Sequence, residues 1–348
     1  MMKILITGGA GFLGLHLARN LREKGNEIVL LDIAPYEKHE YPNDVTFIDG
    51  DVRSHSDMER ALDGCDYCIH GAAALPLWTR EEIHTTNIFG TQTVLEECHK
   101  AGIKRVAYVS STAVYGVPRV HPLLESFPMV GVGDYGESKI LAEGICQDFK
   151  KRKDMVIGII RPKTFIGPFR LGVFQILFDW INGGHRIPLI GNGKNRYQLM
   201  EVSDLIEAFN LMLTTNDEDA AADTYNCGAK EYGTVSSDVA QLCSHAGTGA
   251  KPLPTPALPT IAALTVFDKL KMSPLYKWVY GTAHTDSFVS IDKIQEKLGW
   301  QPKYSNAAGL IRSYDWYMEN KENIPEGTGV THRQAWDQGI LKIFKTIL

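Results

Sequence analysis

The chain has little of what would direct it to a membrane or to nucleic acid. Its longest apolar segment beyond the N-terminus, residues 257–267, is shorter than the ~20 residues that span a bilayer. Glycines interrupt the apolar N-terminal run, which is not typical of a signal peptide. Basic residues are not in excess, because 36 Lys and Arg stand against 41 Asp and Glu for a net charge of −5. We therefore expect a cytoplasmic protein with no membrane span and no nucleic-acid partner.

Cysteine is scarce and shows no metal-binding pattern. The chain has six cysteines, of which Cys65 and Cys68 form a CxxC pair, but no second pair stands at the spacing of zinc ligands. Cys68 also lies in an apolar stretch that is typical of a buried strand. Scattered cysteines in a chain of this length are typical of a reducing compartment. We expect no metal site and a core position for Cys68.

Short β-rich runs alternate with amphipathic helical stretches in the first half of the chain. The runs cover residues 3–7, 27–32, 45–49, 66–70, 105–110 and 155–161, and the two longest helical stretches cover about 80–101 and 135–152. Nearly continuous apolar strands that alternate with helices are typical of a parallel sheet covered on both faces. The sequence therefore predicts an α/β fold with a doubly wound parallel sheet.

A glycine-rich loop connects the first predicted strand to the first helix. Gly8, Gly11 and Gly14 form a G-x-x-G-x-x-G pattern in TGGAGFLG. A strand before this loop and a helix after it are the context in which it holds a dinucleotide pyrophosphate, whereas a plain β–α turn usually needs one glycine. Asp32 ends the second strand, where a carboxylate accepts from both ribose hydroxyls and repels a 2′-phosphate. The pattern predicts a Rossmann domain that binds NAD in preference to NADP.

The alternating pattern ends after Arg161. Gly and Pro are frequent in the residues that follow, and a Pro-rich segment at 251–259 leads into two apolar helical stretches. We expect residues 1–165 to form the NAD-binding domain, which the chain re-enters around 195–230. Residues 166–321 are expected to form mainly a smaller, mixed α/β substrate-binding lobe at the C-terminal side. Residues 322–348 are expected to be a tail that ends in a short basic-apolar helix.

Two Tyr-x-x-x-Lys pairs occur in the chain. Tyr135 and Lys139 form one and Tyr317 and Lys321 the other, and this spacing places both side chains of a pair on one helix face. The spacing alone does not separate a proton-transfer pair from an ordinary helical turn. Position separates them. Tyr135 follows a phosphate loop, a carboxylate at the end of the second strand and Ser111 at the end of a later one, whereas Tyr317 lies on a late amphipathic helix with no hydroxyl partner or cofactor motif after it.

The chain resembles the extended short-chain dehydrogenases/reductases, the NAD-dependent epimerase/dehydratase group, through the ordered motifs TGGAGFLG, GDV, IHGAA, NIFGT, SSTAVYG, YGESK, RPKTFIGP and KLGWQP. The resemblance runs from Met2 to about Lys321. It implies an enzyme in which Tyr135 takes the proton of a secondary alcohol and Ser111 holds the substrate oxygen, while Lys139 binds the nicotinamide ribose. Because a free Tyr titrates near ~10, Lys139 and the oxidised nicotinamide are expected to lower the pKa of Tyr135.

The loop and the resemblance together predict the residues of the site. Those expected to bind the cofactor are Gly8, Gly11, Phe12, Leu13, Gly14, Asp32, Asp51, Val52, Gly71, Ala72, Ala73, Asn87, Ser110, Tyr135, Lys139, Arg161, Pro162 and Thr164. Those expected to contact the substrate are Leu75, Ser111, Thr112, Thr164 and Tyr197. Asp51 has an alternative role in a helix-capping turn, and His70 is expected to be a local hydrogen-bonding group. The family's frequent dimer uses the helices that hold Asn87 and Tyr135, so we expect a homodimer.

Asp134 directly precedes Tyr135 and has two interpretations. It is either a second base or the N-cap of the helix, with Glu137 three residues later completing a capping box. We expect the cap.

The substrate is less well defined than the cofactor. Sugar-nucleotide relatives carry an Asn near Thr164 and a pyrophosphate-gripping Arg at Tyr197, whereas Arg196 here lies one residue earlier and so on the opposite face of a strand. Residues 253–279 resemble the second lobe of 3β-hydroxysteroid-type dehydrogenases, although an apolar helical pair can also serve simple lobe packing. Dehydratases carry acidic residues where this chain has Thr112-Ala113.

Three functions follow from these patterns. We expect an NAD-dependent epimerase that acts on a sugar or nucleotide sugar as its small-molecule substrate and keeps NAD bound. The alternative is a 3β-hydroxysteroid-type dehydrogenase or ketoreductase of an apolar substrate, which releases NADH. A third is an NAD-sensing binding protein without catalysis, against which the complete Ser-Tyr-Lys set argues.

Overall fold

The computed structural model describes residues 1–153, 155–270 and 277–324, together with residues 333, 339 and 345. The strands are β1 (Lys3–Thr7), β2 (Glu27–Asp32), β3 (Thr46–Asp49), β4 (Tyr67–His70), β5 (Arg105–Val109), β6 (Val156–Pro162), β7 (Phe165–Ile166), β8 (Arg186–Ile190), β9 (Met200–Glu201), β10 (Thr224–Cys227) and β11 (Lys251–Thr255). The helix predicted at the end of the tail lies outside the described residues.

The helices fill the connections between these strands. They are α1 (Phe12–Glu23), α2 (His55–Leu62), α3 (Arg80–His84), α4 (Gly90–Lys100), α5 (Gly133–Lys153), α6 (Val173–Asn182), α7 (Val202–Thr214), α8 (Glu218–Ala221), α9 (Val235–Ala246), α10 (Ala257–Lys269), α11 (Lys277–Thr282), α12 (Asp292–Leu298) and α13 (Asn306–Asn320). Within the described part of the chain, no helix is both long enough and apolar enough to cross a membrane.

The main sheet has seven parallel strands in the order β10-β6-β5-β4-β1-β2-β3. The chain runs outward from β1 to β3 on one side and from β4 to β10 on the other. The strand order therefore reverses between β1 and β4, which opens a crevice at their carboxyl ends. This arrangement confirms the predicted α/β Rossmann fold with a doubly wound parallel sheet.

Both faces of the sheet are buried, as the apolar strands require. In β1, Ile4 and Ile6 join a core formed with helices α1 and α7 on one face. Leu5 between them joins the core of α2, α4 and α5 on the other face. This period of two places the helices that carry site residues on opposite sides of one sheet.

The helix predicted from about residue 80 to 101 is interrupted. α3 begins with a capping box, in which Thr79 accepts from the Glu82 N–H and the Glu82 carboxylate accepts from the Thr79 N–H. A π-helical turn, Thr85–Phe89, then separates α3 from α4. Such turns mark functional positions in many helices, and here the turn buries Asn87.

The second lobe has its own core. Two parallel strand pairs, β8 with β11 and β7 with β9, lie beside α6, α9 and α13. Its aromatic centre includes Phe178, Tyr314 and Tyr317. The chain returns from this lobe to the main sheet at β10, which pairs with β6. The domain boundary near residue 165 stays a prediction.

Two predictions for individual residues meet different outcomes. Helix α5 begins at Gly133, so Asp134 lies in its first turn, and the predicted N-cap was wrong. Asp134 instead pairs with Arg80 of α3, whose Nε lies 3.3 Å from Oδ1.

Cys68 is a buried core residue, as predicted. Burial raises the pKa of the partly exposed Cys65 to about 12, which makes its thiol a poor nucleophile at neutral pH.

Candidate active site

A single cavity of about 1610 Å³ extends from the glycine loop into the second lobe. It lies over the carboxyl ends of the central strands, where Thr7, Asp32, Ser110 and Pro162 line it. Of the residues predicted for the site, all but Asn87 and Arg161 line this cavity. The fold thus brings the predicted cofactor and substrate residues to one place.

The glycine loop is closely packed against the sheet. A Cβ on Gly14 would lie 2.4 Å from the carbonyl oxygen of Gly8, and one on Gly8 would lie 2.8 Å from the backbone nitrogen of Ala72. Gly8 also has φ +73°, which favours glycine. The close approach brings the N-terminus of α1 to the cavity, with its free N–H groups and positive dipole end. The loop therefore suits a pyrophosphate.

Asp32 ends β2 with its carboxylate held by the backbone. It accepts from the N–H of Ala10 and that of Ala34, each at 2.9 Å. Burial nevertheless raises its pKa. The carboxylate lines the cavity beside the loop, which suits a ribose whose hydroxyls donate to it.

Asp51 lies in the turn between β3 and α2. Its carboxylate accepts from the side chain and the backbone N–H of Arg53, and the N-cap of α2 is Ser54. Asp51 thus lies in the turn that leads into α2, as the alternative expected, although Ser54 and not Asp51 is the cap residue. Asp51 and Val52 both line the cavity, as predicted for the adenine end.

Ser111, Tyr135 and Lys139 converge on the middle of the cavity. Ser111 follows β5, and its hydroxyl also accepts from the N–H of Ala113 at 3.1 Å, which starts a short 3₁₀ turn. Tyr135 and Lys139 lie four residues apart on α5, with the Lys139 Nζ 5.9 Å from the centre of the Tyr135 ring. Of the predicted catalytic residues, Tyr135 and Lys139 therefore lie one helical turn apart on α5, and Ser111 lies at the end of β5 in the same cavity.

The protonation of these groups differs from the sequence expectation. Burial raises the pKa of Tyr135 to about 12, and a hydrogen bond from Ser111 opposes this shift. Lys139 does not turn its ammonium to the phenol, because Nζ donates to the carbonyl oxygen of Val109 at 2.9 Å and to the hydroxyl of Tyr108 at 3.3 Å. Burial lowers the pKa of Lys139 to about 8. Without cofactor, burial thus outweighs the lysine that was expected to favour the phenolate.

Asn87 and Arg161 hold the site from behind and do not line the cavity. The Asn87 side chain accepts from the N–H of Ala74 at 2.8 Å and donates to its carbonyl oxygen at 3.1 Å. Arg161 is buried against Glu143 of α5, with Nη2 2.6 Å from Oε2. We had predicted both as cofactor contacts, but these buried bonds take up their polar atoms. The structure places them as supports.

His70 behaves as predicted for a local group. Its Nδ1 lies 2.7 Å from the hydroxyl of Thr7 and its Nε2 lies 3.0 Å from that of Thr91. Burial lowers its pKa to about 3, so the ring is neutral. It ties β4 to β1 and α4 beneath the crevice.

The sequence reasoning missed three cations that line the cavity. Lys163 follows Pro162 at the end of β6. The Arg170 guanidinium lies 5.3 Å from the centre of the Phe12 ring, next to the glycine loop. Arg333, from the tail, donates to the carbonyl oxygen of Ala10 at 2.9 Å. The one available signal was the Lys in RPKTFIGP, since a lone Arg in a turn or tail has no pattern.

The second lobe contributes an apolar wall. The helix α10 covers this end of the cavity with Pro259, Ala263, Leu264 and Phe267. Other apolar or aromatic residues of the second lobe also line the cavity, beside the polar Asp238 and Asn306, namely Phe174, Leu177, Trp180, Ile187, Leu189, Val239 and Leu310. Arg196 is not among the lining residues, because its guanidinium stacks on Tyr232 and Phe288 at 4.8 and 4.7 Å from the ring centres.

Known proteins are similar to this chain in sequence and in fold. The sequence profile of the NAD dependent epimerase/dehydratase family matches residues 4–228. The uncharacterized protein y4nG of Sinorhizobium fredii is 34% identical over 343 residues, which are 97% of this chain and 84% of that protein. Mouse sterol-4-alpha-carboxylate 3-dehydrogenase, decarboxylating, is 31% identical over 225 residues, which are 63% of this chain and 61% of that protein. The structure of UDP-glucose 4-epimerase with UDP-glucose from Thermotoga maritima has a TM-score of 0.77 at 23% identity and covers 92% of this chain and 100% of its own.

Proposed function

Since the chain belongs to the NAD dependent epimerase/dehydratase family and is an enzyme that uses NAD, we propose that it transfers a hydride between NAD and a secondary alcohol or ketone with an apolar body. Membership of this family confirms the resemblance, the enzyme class and the cofactor that the sequence predicted. The reacting residues and the substrate belong to the proposal.

One observation carries the proposal: the predicted catalytic residues and the apolar wall line the same cavity as the glycine loop. Tyr135, as the base, receives the hydroxyl proton when the alcohol is oxidised and returns it when the ketone is reduced. Ser111 donates a hydrogen bond to the substrate oxygen as charge develops there. The bound cofactor supplies the hydride acceptor or donor.

Lys139 acts through its buried charge in this proposal. Its ammonium is held by the carbonyl oxygen of Val109 behind the Tyr135 ring. A cation at this distance in a dry site stabilises a phenolate as the proton leaves. Because burial alone raises the pKa of Tyr135 to about 12, the base needs this charge and that of the oxidised nicotinamide.

The apolar wall argues for the body of the substrate. A nucleotide sugar brings a pyrophosphate, and the Arg that grips it in sugar-nucleotide relatives stands at the position of Tyr197 in this chain. The sequence places Arg196 on the opposite strand face from that position, and in the structure its guanidinium stacks on Tyr232 and Phe288 and does not line the cavity. Side chains such as Leu264 and Trp180 favour a hydrocarbon surface in that space. The mouse relative named for a sterol carboxylate is consistent with this class of substrate.

A nucleotide-sugar epimerase is the second candidate. It was the leading expectation from the sequence, and the structural similarity to the Thermotoga UDP-glucose 4-epimerase over 92% of the chain favours it. The cavity of about 1610 Å³ is also large for a cofactor and a small alcohol alone. This candidate predicts that NAD stays bound and that no NADH is released.

The two candidates are separated by following the cofactor. The full-length protein with NAD⁺ is mixed with a 3β-hydroxysteroid or a long-chain secondary alcohol, and in parallel with UDP- and dTDP-sugars, while NADH absorbance and sugar epimers are measured. We expect NADH with an apolar alcohol and no conversion of the sugars. Conversion of a nucleotide sugar to its epimer without net NADH would overturn the first candidate and establish the second. The homodimer stays a prediction.

A further inference from the structure

Lys163 is a buried cation in the wall of the cavity. Its residue is 3% exposed. Nζ donates to the hydroxyl of Ser287 at 2.6 Å and lies 4.8 Å from the centre of the Tyr197 ring. Among the described residues, no carboxylate lies within ion-pair distance of Nζ. The ammonium therefore meets a hydroxyl and an aromatic face, but no counter-charge.

The neighbouring cation shows what a structural role looks like in this chain. Arg161, two residues earlier, is equally buried and has a bidentate partner in Glu143. Burying a charge without a partner costs several kcal/mol, so buried cations in proteins are almost always paired. Burial accordingly lowers the pKa of Lys163 to about 7. Lys163 differs from Arg161 in having no such carboxylate among the described residues.

The strand register places Lys163 beside the reacting groups. β5 and β6 pair in parallel, with Val109 opposite Ile160. Ser111 follows β5 and Lys163 follows β6 at the same end of the sheet. The Thr112 hydroxyl in fact donates to the Pro162 carbonyl oxygen at 3.3 Å. Lys163 is therefore one strand away from the serine that holds the substrate oxygen.

Two hydroxyl-bearing residues line the cavity near Lys163. The Tyr197 and Thr164 hydroxyls are 3.4 Å apart and both residues line the cavity. The Ser287 hydroxyl already contacts Nζ. Lys163, Thr164 and Tyr197 thus bring one ammonium and two hydroxyls to the cavity wall, which suits the acceptor oxygens of a carboxylate.

We propose that Lys163, with Tyr197 and Thr164, receives a carboxylate of the substrate, so that the enzyme acts on an apolar hydroxy or keto acid. The inference rests on the proposed function, because it assigns the substrate class of the same site. A phosphate would share the attraction to the ammonium, but one lysine and two neutral hydroxyls match a monoanion better than a dianion.

The test measures binding and does not need turnover. Octanoate, octanamide and octyl phosphate have the same chain and differ at the head group, and their affinities for the full-length protein with NAD⁺ are measured by calorimetry. We expect octanoate to bind at least about tenfold tighter than octanamide. In Lys163→Met the two should bind equally, while Lys163→Arg should retain most of the preference. Equal binding to the wild type, or a preference that survives in Lys163→Met, would overturn the proposal; tighter binding of octyl phosphate would assign the site to phosphate.

A second measurement separates this role from a structural one. Replacing an unpaired buried ammonium by an apolar side chain of similar length is expected to raise the melting temperature of the cofactor-free protein. A lysine that held Ser287 and Tyr197 for stability would give a lower melting temperature in Lys163→Met, which contradicts the proposal. The wild-type comparison of acid and amide decides the matter even if the variant does not fold. A failed proposal on function would show instead as absent NADH formation, independently of the acid-to-amide ratio.

Discussion

The guanidinium of Arg161 and the carboxylate of Glu143 form a buried ion pair beneath the candidate catalytic residues, with Nη2 2.6 Å from Oε2 and side chains 6% and 3% exposed. The pair joins β6 to α5, the helix that carries Tyr135 and Lys139. Ser110 donates to the same carboxylate. Burial lowers the pKa of Arg161, but the hydrogen bonds and the charge of Glu143 outweigh burial and raise the pKa above its ordinary value.

Glu143→Gln is expected to lower the free energy of unfolding by about 3–5 kcal/mol, because it leaves the Arg161 charge buried without a counter-charge. Urea unfolding of the purified protein measures this. Asp148→Asn is the matched control on the same helix, since its pair with Arg152 is exposed and spans 3.8 Å; it should cost no more than about 1 kcal/mol. Equal effects of the two substitutions would show that the buried pair contributes nothing special.

The double variant Glu143→Leu with Arg161→Met should be more stable than Glu143→Gln alone. It removes both charges and so leaves no uncompensated ion in the core. The same unfolding experiment gives this comparison. A double variant less stable than Glu143→Gln would mean that packing, and not charge, decides stability at this position.

Tyr135→Phe is expected to lower turnover by about 10²–10⁴-fold while NAD binding is unchanged, because it removes only the hydroxyl that exchanges the proton. NADH formation and NAD calorimetry check the two halves of this expectation. Tyr317→Phe is the control, since it changes the other Tyr-x-x-x-Lys pair, whose tyrosine packs against Phe178 in the core of the second lobe. Normal turnover in Tyr135→Phe would remove Tyr135 from the mechanism.

Asp32→Asn is expected to weaken NAD binding by about 10- to 100-fold, because hydrogen bonds to a charged group contribute about 1.5–3 kcal/mol. The amide keeps the shape of the side chain and can accept from one of the two N–H groups, that of Ala10 or that of Ala34, which donate to different oxygens of the carboxylate. Asp49→Asn serves as the control, since this exposed residue ends the neighbouring strand outside the cavity. An unchanged dissociation constant for NAD in Asp32→Asn would contradict the assignment of Asp32 to the ribose.

The sequence predicted those parts of the site that depend on local patterns. The glycine loop, Asp32 and the Tyr135–Lys139 pair could be placed because a strand end or a helix turn fixes each one. Arg161 was misplaced for a related reason. Neighbouring strand residues point to opposite faces, and the partner that draws Arg161 away from the cavity, Glu143, lies 18 residues earlier on a helix.

Other features depend on packing between distant segments. Lys163 meets Ser287, 124 residues later, and no motif records that contact. The direction of the Lys139 ammonium was also beyond the sequence, since the carbonyl oxygen of Val109 competes for it on another element. The rise in the pKa of Tyr135 without cofactor was also beyond the sequence, because burial depends on tertiary packing; the lowering expected beside the oxidised nicotinamide stays a prediction.

The last prediction concerns pH and Lys163. Burial lowers its pKa to about 7 in the folded protein, whereas a lysine in the unfolded chain titrates near ~10.4. Between these values the unfolded chain holds a proton that the folded chain has released, so this group makes the wild type more stable as pH rises. Methionine has no such proton. The stability advantage expected for Lys163→Met should therefore be greatest below a pH of about 7 and shrink steadily towards about 10.

The neighbouring titrations leave this window clear. Burial lowers the pKa of His121 from 6.5, so it titrates below the window, and burial raises the pKa of Tyr197 above 10.0, so it titrates beyond it. Lys139 has a pKa of about 8, but it is present in both proteins and its effect cancels in their difference. Urea unfolding of both proteins across this pH range measures that difference directly. A difference that stays constant with pH would mean that the Lys163 ammonium is not desolvated in the folded protein. Lys163 would then not be an unpaired buried cation, and the physical argument that it binds a substrate carboxylate would fail.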